Sequence, residues 1–215
     1  MSLTIAVLGA RGRLGHVVAQ AALTAGYTVV GITRDGQLPD SLVGAEARRA
    51  DAMKADELIA ATEGADVIIN ALNPLYPDWA TMCPVLTENV IAAAKAHKAF
   101  HLFAGNIYNY GHEIPALAGP DTPSVGSVRK GAVRIAMEAR FEQAAREDGV
   151  PTTVLRAGDF YGGPGTGSWF DLVIAGSLHK QRYIWPGRTD IAHSFAYLPD
   201  LARATAVISR AEGME

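Results

Sequence analysis

Three glycines spaced three residues apart mark the first segment that could do chemistry. They are Gly9, Gly12 and Gly15 in IAVLGARGRLG, where an apolar run gives way after Leu14 to helical apolar spacing. A glycine-rich turn between a strand and a helix offers backbone N–H groups and the positive end of the helix dipole to a phosphate. Gly9 would allow the tight turn, Gly12 the close approach of a pyrophosphate, and Gly15 the packing of helix on strand. The pattern predicts a dinucleotide cradle; the alternative is an ordinary turn with incidental glycines.

The end of the second apolar run, GITRDG, bears on which dinucleotide binds. An acidic side chain at this position bonds to the ribose 2′-OH of NAD, whereas an arginine accommodates the 2′-phosphate of NADP. Arg34 would meet that phosphate, and Arg11 or Arg13 could supply a second cation. In the alternative reading Arg34 is a solvated surface residue and Asp35 contacts the ribose. We therefore expect NADP(H), with NAD(H) as the alternative cofactor.

The elements that must position these residues alternate along the chain. Continuous β-branched runs predict strands at Thr4–Gly9, Thr28–Thr33, Asp66–Leu72, Ala99–Gly105 and Pro151–Gly158, and a weaker one at Glu46–Asp51. Apolar spacing predicts helices at Leu14–Ala25, Ala55–Thr62, Trp79–His97 and Val133–Glu147. Such alternation is typical of an α/β fold with a doubly wound parallel sheet. We expect residues 1–215 to form one Rossmann-type domain, with residues 158–215 partly forming an abbreviated substrate cleft.

Composition argues against several classes of partner. The 215 residues carry a net charge of −3 with scattered basic residues, so no nucleic-acid partner is expected. No apolar run approaches the roughly 20 residues that span a bilayer, and no basic leader precedes the first strand, so no membrane association is expected. The lone Cys83 and the spacing of the histidines predict no metal site. The expected location is the cytoplasm.

The motifs, taken in order, resemble the short-chain dehydrogenase/reductase superfamily, in the extended or atypical branch often labelled the NAD-dependent epimerase/dehydratase family. The resemblance spans nearly the whole chain. It rests on GARGRLG (9–15), RAD (49–51), ADVIINAL (65–72), YNYG (108–111), LRAGDFYGGPG (155–165) and HSFAYLPDLARA (193–204). It implies an NAD(P)-binding Rossmann fold, a small carbonyl, alcohol or sugar-type substrate, and a homodimer as one assembly.

The resemblance also implies roles for residues beyond the cradle. Asp51, with Ala52 beside it, would contact the adenine. Ala71, Leu72 and Asn73 would line the cofactor ribose. The turn at 157–162 would lie near the nicotinamide and the substrate.

The catalytic pair of the superfamily is absent. Relatives use Tyr-x-x-x-Lys on the helix after the fifth strand, aided by a hydroxyl residue at that strand's end. Here Lys130 stands at the Tyr position and Arg134 at the Lys position, while Ala104 and Gly105 replace the hydroxyl residue. No Tyr-x-x-x-Lys occurs anywhere in the sequence.

Three explanations of this departure stay open. Lys130 could donate the proton, because a desolvated ammonium near another cation has a lowered pKa. Tyr108 or Tyr110 could act as the acid instead, although tyrosines there could also simply wall the cleft. Alternatively the protein catalyses nothing and is an NADP(H)-binding regulator or redox sensor. Without a catalytic role, Lys130 and Arg134 would contact the ribose or phosphate of the cofactor, or would simply lie on the surface at the start of the helix.

Overall fold

A computed structural model describes residues 2–112, 114–164 and 168–212 of the chain. In this part of the chain six parallel strands form the central sheet, in the order β3-β2-β1-β4-β5-β6. The strands are β1 (Thr4–Leu8), β2 (Thr28–Thr33), β3 (Glu46–Arg49), β4 (Val67–Asn70), β5 (Phe100–Asn106) and β6 (Thr152–Ala157). The order reverses direction between β1 and β4, and ligands of such sheets bind at this switch point, outside the carboxyl ends of the strands.

Helices cover both faces of the sheet, as the continuous apolar runs of its strands require. They are α1 (Arg13–Thr24), α2 (Ala55–Ala61), α3 (Trp79–His97), α4 (Arg129–Gln143) and α5 (Leu198–Glu212). On one face Phe103 of β5 packs with Phe141 of α4 at a ring-centroid distance of 5.0 Å. On the other face Val17 of α1 and Leu198 of α5 belong to the buried cluster that covers β1 and β4. None of the described helices is long and apolar enough to cross a bilayer.

The predicted fold class is confirmed, and the strands and helices that were predicted differ from the observed ones at their ends. Helix α4 begins at Arg129 rather than at Val133, because its first turn contains Arg129, Lys130 and Gly131 and lacks apolar spacing. The same helix continues as a π-helical turn, Ala144–Asp148. Strand β4 stops at Asn70, two residues before the predicted end, because the Asn70 side chain turns the chain there.

A separate sheet follows β6 in the described residues and was not predicted. It pairs β7 (Asp159–Tyr161) in parallel with β8 (Phe195–Tyr197). A Cβ on Gly158 would lie 2.2 Å from the carbonyl oxygen of Ser194, so only glycine allows the two segments to approach this closely. The small sheet lies between the end of β6 and the start of α5, next to the carboxyl edge of the main sheet.

Candidate functional site

The turn between β1 and α1 has the shape expected of a phosphate cradle, which we define as residues 9–15. Gly9 adopts φ +77°, in the left-handed region, and its carbonyl accepts the Gly12 N–H at 2.8 Å. A Cβ on Gly15 would lie 2.3 Å from the Gly9 oxygen, closer than any real side chain allows. A Cβ on Gly9 would lie 3.2 Å from the oxygen of Ala71. The cradle is therefore closed against its own backbone and against the end of β4.

The cradle leaves the first N–H groups of α1 for a ligand. The first bond within the helix runs from the N–H of His16 to the oxygen of Gly12. The preceding N–H groups, including that of Leu14, have no acceptor inside the helix. These groups, with the helix dipole, suit a pyrophosphate, so the residues present fit a dinucleotide.

The charges at the end of β2 are arranged around Asp35. Its carboxylate accepts the N–H of Gln37 and the hydroxyl of Thr33, and forms an ion pair with Arg11. The bond from Gln37, together with Arg11, holds the pKa of Asp35 below its usual value. Arg34, the next residue toward the strand, is exposed. The structure thus places Arg11, Arg34 and Asp35 together at the carboxyl end of β2.

Arg13 occupies a different environment from the other two arginines. Its guanidinium pairs with Asp171 and donates to the oxygen of Gly162 at 2.7 Å and to Oγ of Ser168 at 3.0 Å. Burial lowers its pKa. Arg13 therefore fastens the segment after β7 to the start of α1, and its charge is used within the protein.

A side-chain turn recurs where strands of the main sheet end. The Oδ1 atoms of Asn70, Asp51 and Asn106 accept the N–H two residues further on, at 3.2, 3.1 and 3.0 Å. The turn at Asn70 sets the position of Ala71 and Leu72 beside Gly9, since Leu72 donates the bond. Asn70 and Asn106 were missed by the sequence analysis; a polar residue ending an apolar run was the available signal.

The residues expected near the adenine follow β3. The N–H of Asp51 donates to the carboxylate of Glu57 at 2.9 Å. The oxygen of Ala52 accepts from Asn89 of α3 at 2.8 Å. Asp51 and Ala52 are thus held at the carboxyl edge of the sheet from both sides, while their contact with adenine stays a prediction.

Beyond the carboxyl end of β5 lies a cleft of about 380 Å³, which we call the acceptor pocket. It is lined by Tyr76, Tyr108, Val128, Arg129, Lys130 and Trp169. The hydroxyls of Tyr76 and Tyr108 are 2.9 Å apart, and the ammonium of Lys130 lies 4.8 Å from the centre of the Tyr76 ring. The structure therefore brings together two of the predicted catalytic residues, Lys130 and Tyr108.

Tyr108 has a strongly perturbed acidity. Burial, followed by the bond to Tyr76, raises its pKa above the ordinary value of a tyrosine. The hydroxyl consequently stays protonated at neutral pH and is available as a hydrogen-bond or proton donor.

Arg134 lies one helical turn beyond Lys130 and is buried. Only 4% of it is exposed, and its guanidinium stacks on Trp79 at 4.3 Å from the ring centre. Nη2 donates to Oδ1 of Asn73 at 3.1 Å, while burial lowers the pKa of the guanidinium. Arg134 thus holds the segment after β4 in place through Asn73, the residue predicted to line the ribose.

Tyr110 is separated from the acceptor pocket. It is 5% exposed and its hydroxyl accepts from Arg156 at 3.2 Å. Arg156 in turn pairs with Glu138 of α4 at 2.6 Å. Tyr110 and Arg156 line a second cavity, of about 530 Å³, beside the edge strand β6. The structure does not bring Tyr110 together with Lys130.

Comparison with known proteins identifies the family. A family model described as NAD(P)H-binding matches residues 9–198, which include the cradle and the acceptor pocket. The chain belongs to this NAD(P)H-binding family. Its cofactor is a nicotinamide dinucleotide, as the cradle predicted. No curated protein matches the chain.

Solved structures that share the fold of this NAD(P)H-binding chain include several sugar epimerases, and they confirm the predicted Rossmann-type fold. UDP-glucose 4-epimerase from Brucella ovis, in complex with NAD, has a TM-score of 0.83 at 14% identity, over 99% of this chain and 74% of that one. UDP-N-acetylglucosamine 4-epimerase from Bacillus cereus has a TM-score of 0.76 at 20% identity, over 99% and 75%. A nucleoside-diphosphate-sugar epimerase from Pseudomonas aeruginosa has a TM-score of 0.76 at 22% identity, over 98% and 69%. At these identities the likeness shows a shared fold.

Proposed function

We propose that the chain is an NAD(P)-dependent oxidoreductase or epimerase/dehydratase-like enzyme acting on a carbonyl or alcohol group in the acceptor pocket. The observation that carries the proposal is the Tyr108 hydroxyl, 2.9 Å from that of Tyr76, in a cleft that Lys130 also lines. When bound, the nicotinamide cofactor supplies or accepts a hydride. The residues of the pocket must then handle the proton.

Tyr108 is the proposed proton donor to the substrate oxygen. The hydroxyl is protonated at neutral pH and can donate to an oxygen that develops negative charge. Because burial raises its pKa, Tyr108 is a weaker acid than an ordinary tyrosine, and the transfer depends on a cation beside the tyrosine pair. Lys130 lies against the Tyr76 ring, and its positive charge opposes the negative charge left on the bonded tyrosine pair after transfer. The pair Tyr76–Tyr108 with Lys130 would thus do the work that Tyr-x-x-x-Lys does in relatives.

The cofactor would lie along the carboxyl edge of the sheet. In this proposal the cradle, from Gly9 to Gly15, holds the pyrophosphate, and Asp51 with Ala52 contacts the adenine. Ala71, Leu72 and Asn73 line the nicotinamide ribose. Arg134 positions Asn73 through their 3.1 Å bond.

We further propose a preference for NADP(H) over NAD(H). The carboxylate of Asp35 is engaged by Arg11, Thr33 and Gln37, which leaves it poorly placed to bond a ribose 2′-OH. Arg34 is exposed beside it, and a Cβ on Gly36 would lie 3.2 Å from Cβ of Arg49 at the end of β3. Arg11, paired with Asp35, and the exposed Arg34 therefore lie at the end of β2 where a 2′-phosphate would bind.

The test is a titration with NADPH and with NADH, followed by nicotinamide fluorescence, on the wild type and on Arg34→Ala. We expect NADPH to bind more tightly and to lose about 10-fold in affinity in the variant, as for a charge-assisted bond. NADH affinity should stay the same. The matched control is Arg146→Ala, which removes an exposed arginine in the π-helical turn after α4 and should change neither affinity. Equal losses for both nucleotides would contradict the preference, and failure of both to bind would contradict the cofactor-dependent function.

A non-catalytic regulator or redox sensor is the second candidate, favoured by the absence of Tyr-x-x-x-Lys. The two candidates differ in turnover with bound NADPH. An enzyme should oxidise NADPH with at least one compound in a panel of aldehydes, ketones and 2-oxo acids. A regulator should bind NADPH and oxidise it with none of them.

A further inference from the structure

We infer that the substrate of the acceptor pocket is a small anionic carbonyl compound with an aromatic body, such as an aromatic 2-oxo acid. This inference rests on the proposed function and names the class of substrate. It differs from the UDP-sugars named for the structurally similar epimerases.

The charge of the pocket favours an anion. Arg129 and Lys130 both line it and both are exposed, while no carboxylate is among its described lining residues. They are the first two residues of α4, a helix of 15 residues, so their N–H groups and the helix dipole add to the positive field. The start of α4 is pressed against the pocket, since a Cβ on Gly131 would lie 2.5 Å from the oxygen of Tyr108.

A third cation lies behind the aromatic wall. Arg134 is 4% exposed, and the Nε and Nη1 atoms of its guanidinium find no hydrogen-bond partner among the described residues. It stacks on Trp79, whose ring centre is 5.1 Å from that of Tyr76 and 6.1 Å from that of Tyr108. A buried, incompletely bonded cation at this depth strengthens the attraction for an anion in the pocket.

Nearby carboxylates do not cancel this field. Glu138, one turn beyond Arg134, is paired with Arg156 at 2.6 Å. Asp159 of β7 also acts on Tyr108, but it bonds to Nε2 of His193 at 2.8 Å and does not line the pocket. The lining therefore keeps an excess of positive charge.

The size and the walls of the pocket define the body of the substrate. The rings of Tyr76, Tyr108 and Trp169 form its apolar surface. Its volume of about 380 Å³ is near the lower end of the ~300–1,000 Å³ typical of small-molecule sites. A benzene ring with a short oxo-acid side chain fits such a volume and stacks on these rings. A sugar nucleotide carries a sugar, two phosphates and a nucleoside, so much of it would extend out of this cleft.

The test uses two probes that differ in one group, phenylpyruvate and phenylacetone, in which a methyl replaces the carboxylate. Binding is measured by calorimetry to the protein saturated with NADP⁺, so that neither ketone can be reduced. We expect phenylpyruvate to bind at least about 10-fold more tightly than phenylacetone. Arg129→Gln should remove most of that difference while leaving phenylacetone binding unchanged. UDP-glucose, the third probe, should bind more weakly than phenylpyruvate.

Controls separate the charge from damage to the fold. Arg146→Gln removes the same charge in the π-helical turn after α4 and should keep the 10-fold preference. Arg129→Lys keeps the positive charge and should also keep most of the preference for phenylpyruvate. This variant still decides the question if Arg129→Gln fails to fold.

The outcomes distinguish this inference from the proposed function. Equal binding of the two ketones, or tighter binding of UDP-glucose, overturns the anionic aromatic substrate. If NADP⁺ still binds in that case, the cofactor-dependent function stands. Failure of NADP⁺ itself to bind removes both.

Discussion

The two halves of the carboxyl edge of the main sheet differ in what they present to a ligand, which is backbone in one half and side chains in the other. The cofactor half, around β1, β2 and β4, presents backbone atoms. Its strands are almost wholly buried, and the glycines of its cradle lie so close to other backbone atoms that a side chain would not fit. The acceptor half, beyond β5 and β6, presents side chains from short helical turns and helix starts. Strand β6 is partly exposed along its whole length, in contrast to the fully buried β4.

The difference shows how one fold can keep a cofactor while its substrates vary. A cradle made of backbone accepts few substitutions, because each added atom meets another backbone atom. A pocket made of side chains can change its charge and shape one residue at a time. Lys130 and Arg134, at the positions of the absent Tyr-x-x-x-Lys, belong to the acceptor half. Under our proposal the Tyr76–Tyr108 pair takes over its role without a change in the sheet.

The largest expected effect is in the acceptor half. Tyr108→Phe removes the proposed proton donor and should lower the rate of NADPH-dependent carbonyl reduction by about 10³-fold. NADPH affinity should not change, because the hydroxyl bonds to Tyr76 and not to the cradle. Steady-state rates and a fluorescence titration on the same sample measure both quantities. Tyr183→Phe, at an exposed tyrosine, is the control; an equal loss there would argue against a specific role for Tyr108.

The next largest effect is expected from a substitution in the cradle of the cofactor half. Gly15→Val places a side chain against the Gly9 oxygen, where even a Cβ would be 2.3 Å away. We expect about 3 kcal/mol less stability toward unfolding and at least about 100-fold weaker NADPH binding. Gly119→Val, where a Cβ meets nothing within 4 Å, should cost far less. Chemical denaturation and titration of the two variants give the comparison, and equal costs would mean that the cradle is not sterically closed.

A smaller effect, on stability, concerns His101 of β5, the strand between β4 and β6. It is fully buried, and burial lowers its pKa from 6.5 to about 3. Between these two values the unfolded chain binds a proton that the folded chain does not, so stability falls as the pH drops below 6.5. At pH 5 this amounts to about 2 kcal/mol.

His101→Gln should flatten the pH dependence. The free energy of unfolding, measured by urea denaturation at pH 7.5 and pH 5, should fall by about 2 kcal/mol less in this variant than in the wild type. His179→Gln, at an exposed histidine, should leave the dependence as it is. If His101→Gln and the wild type lose the same free energy of unfolding between pH 7.5 and pH 5, another group causes the acid sensitivity.

The sequence predicted the cofactor half better than the acceptor half, for a physical reason. The lack of a Cβ at Gly9 and Gly15 is a property of each residue alone, so the spacing was enough to predict the turn. The partner of Arg13 could not be predicted in this way, because Asp171 lies in a distant segment and meets it only in the folded chain. Strands β7 and β8 have three residues each, too few for a period to show.

The site residues divide along the same line. Lys130 and Tyr108 were predicted and lie in one pocket, whereas the hydrogen bond between Tyr76 and Tyr108 depends on how the loop after β4 folds back. The role of Asn106 was not predicted, because its only signal in the sequence is a polar residue at the end of an apolar run. Its side chain turns the chain at the end of β5 and so sets the position of Tyr108.

A crystal structure with NADP⁺ bound would show whether the cradle and the acceptor pocket form one site. We expect the pyrophosphate at the N–H groups of the cradle, the 2′-phosphate between Arg11 and Arg34, and the nicotinamide ring facing the Tyr108 hydroxyl. A nicotinamide ring that points away from Tyr108 and Lys130, with the cradle still occupied, would contradict this expectation.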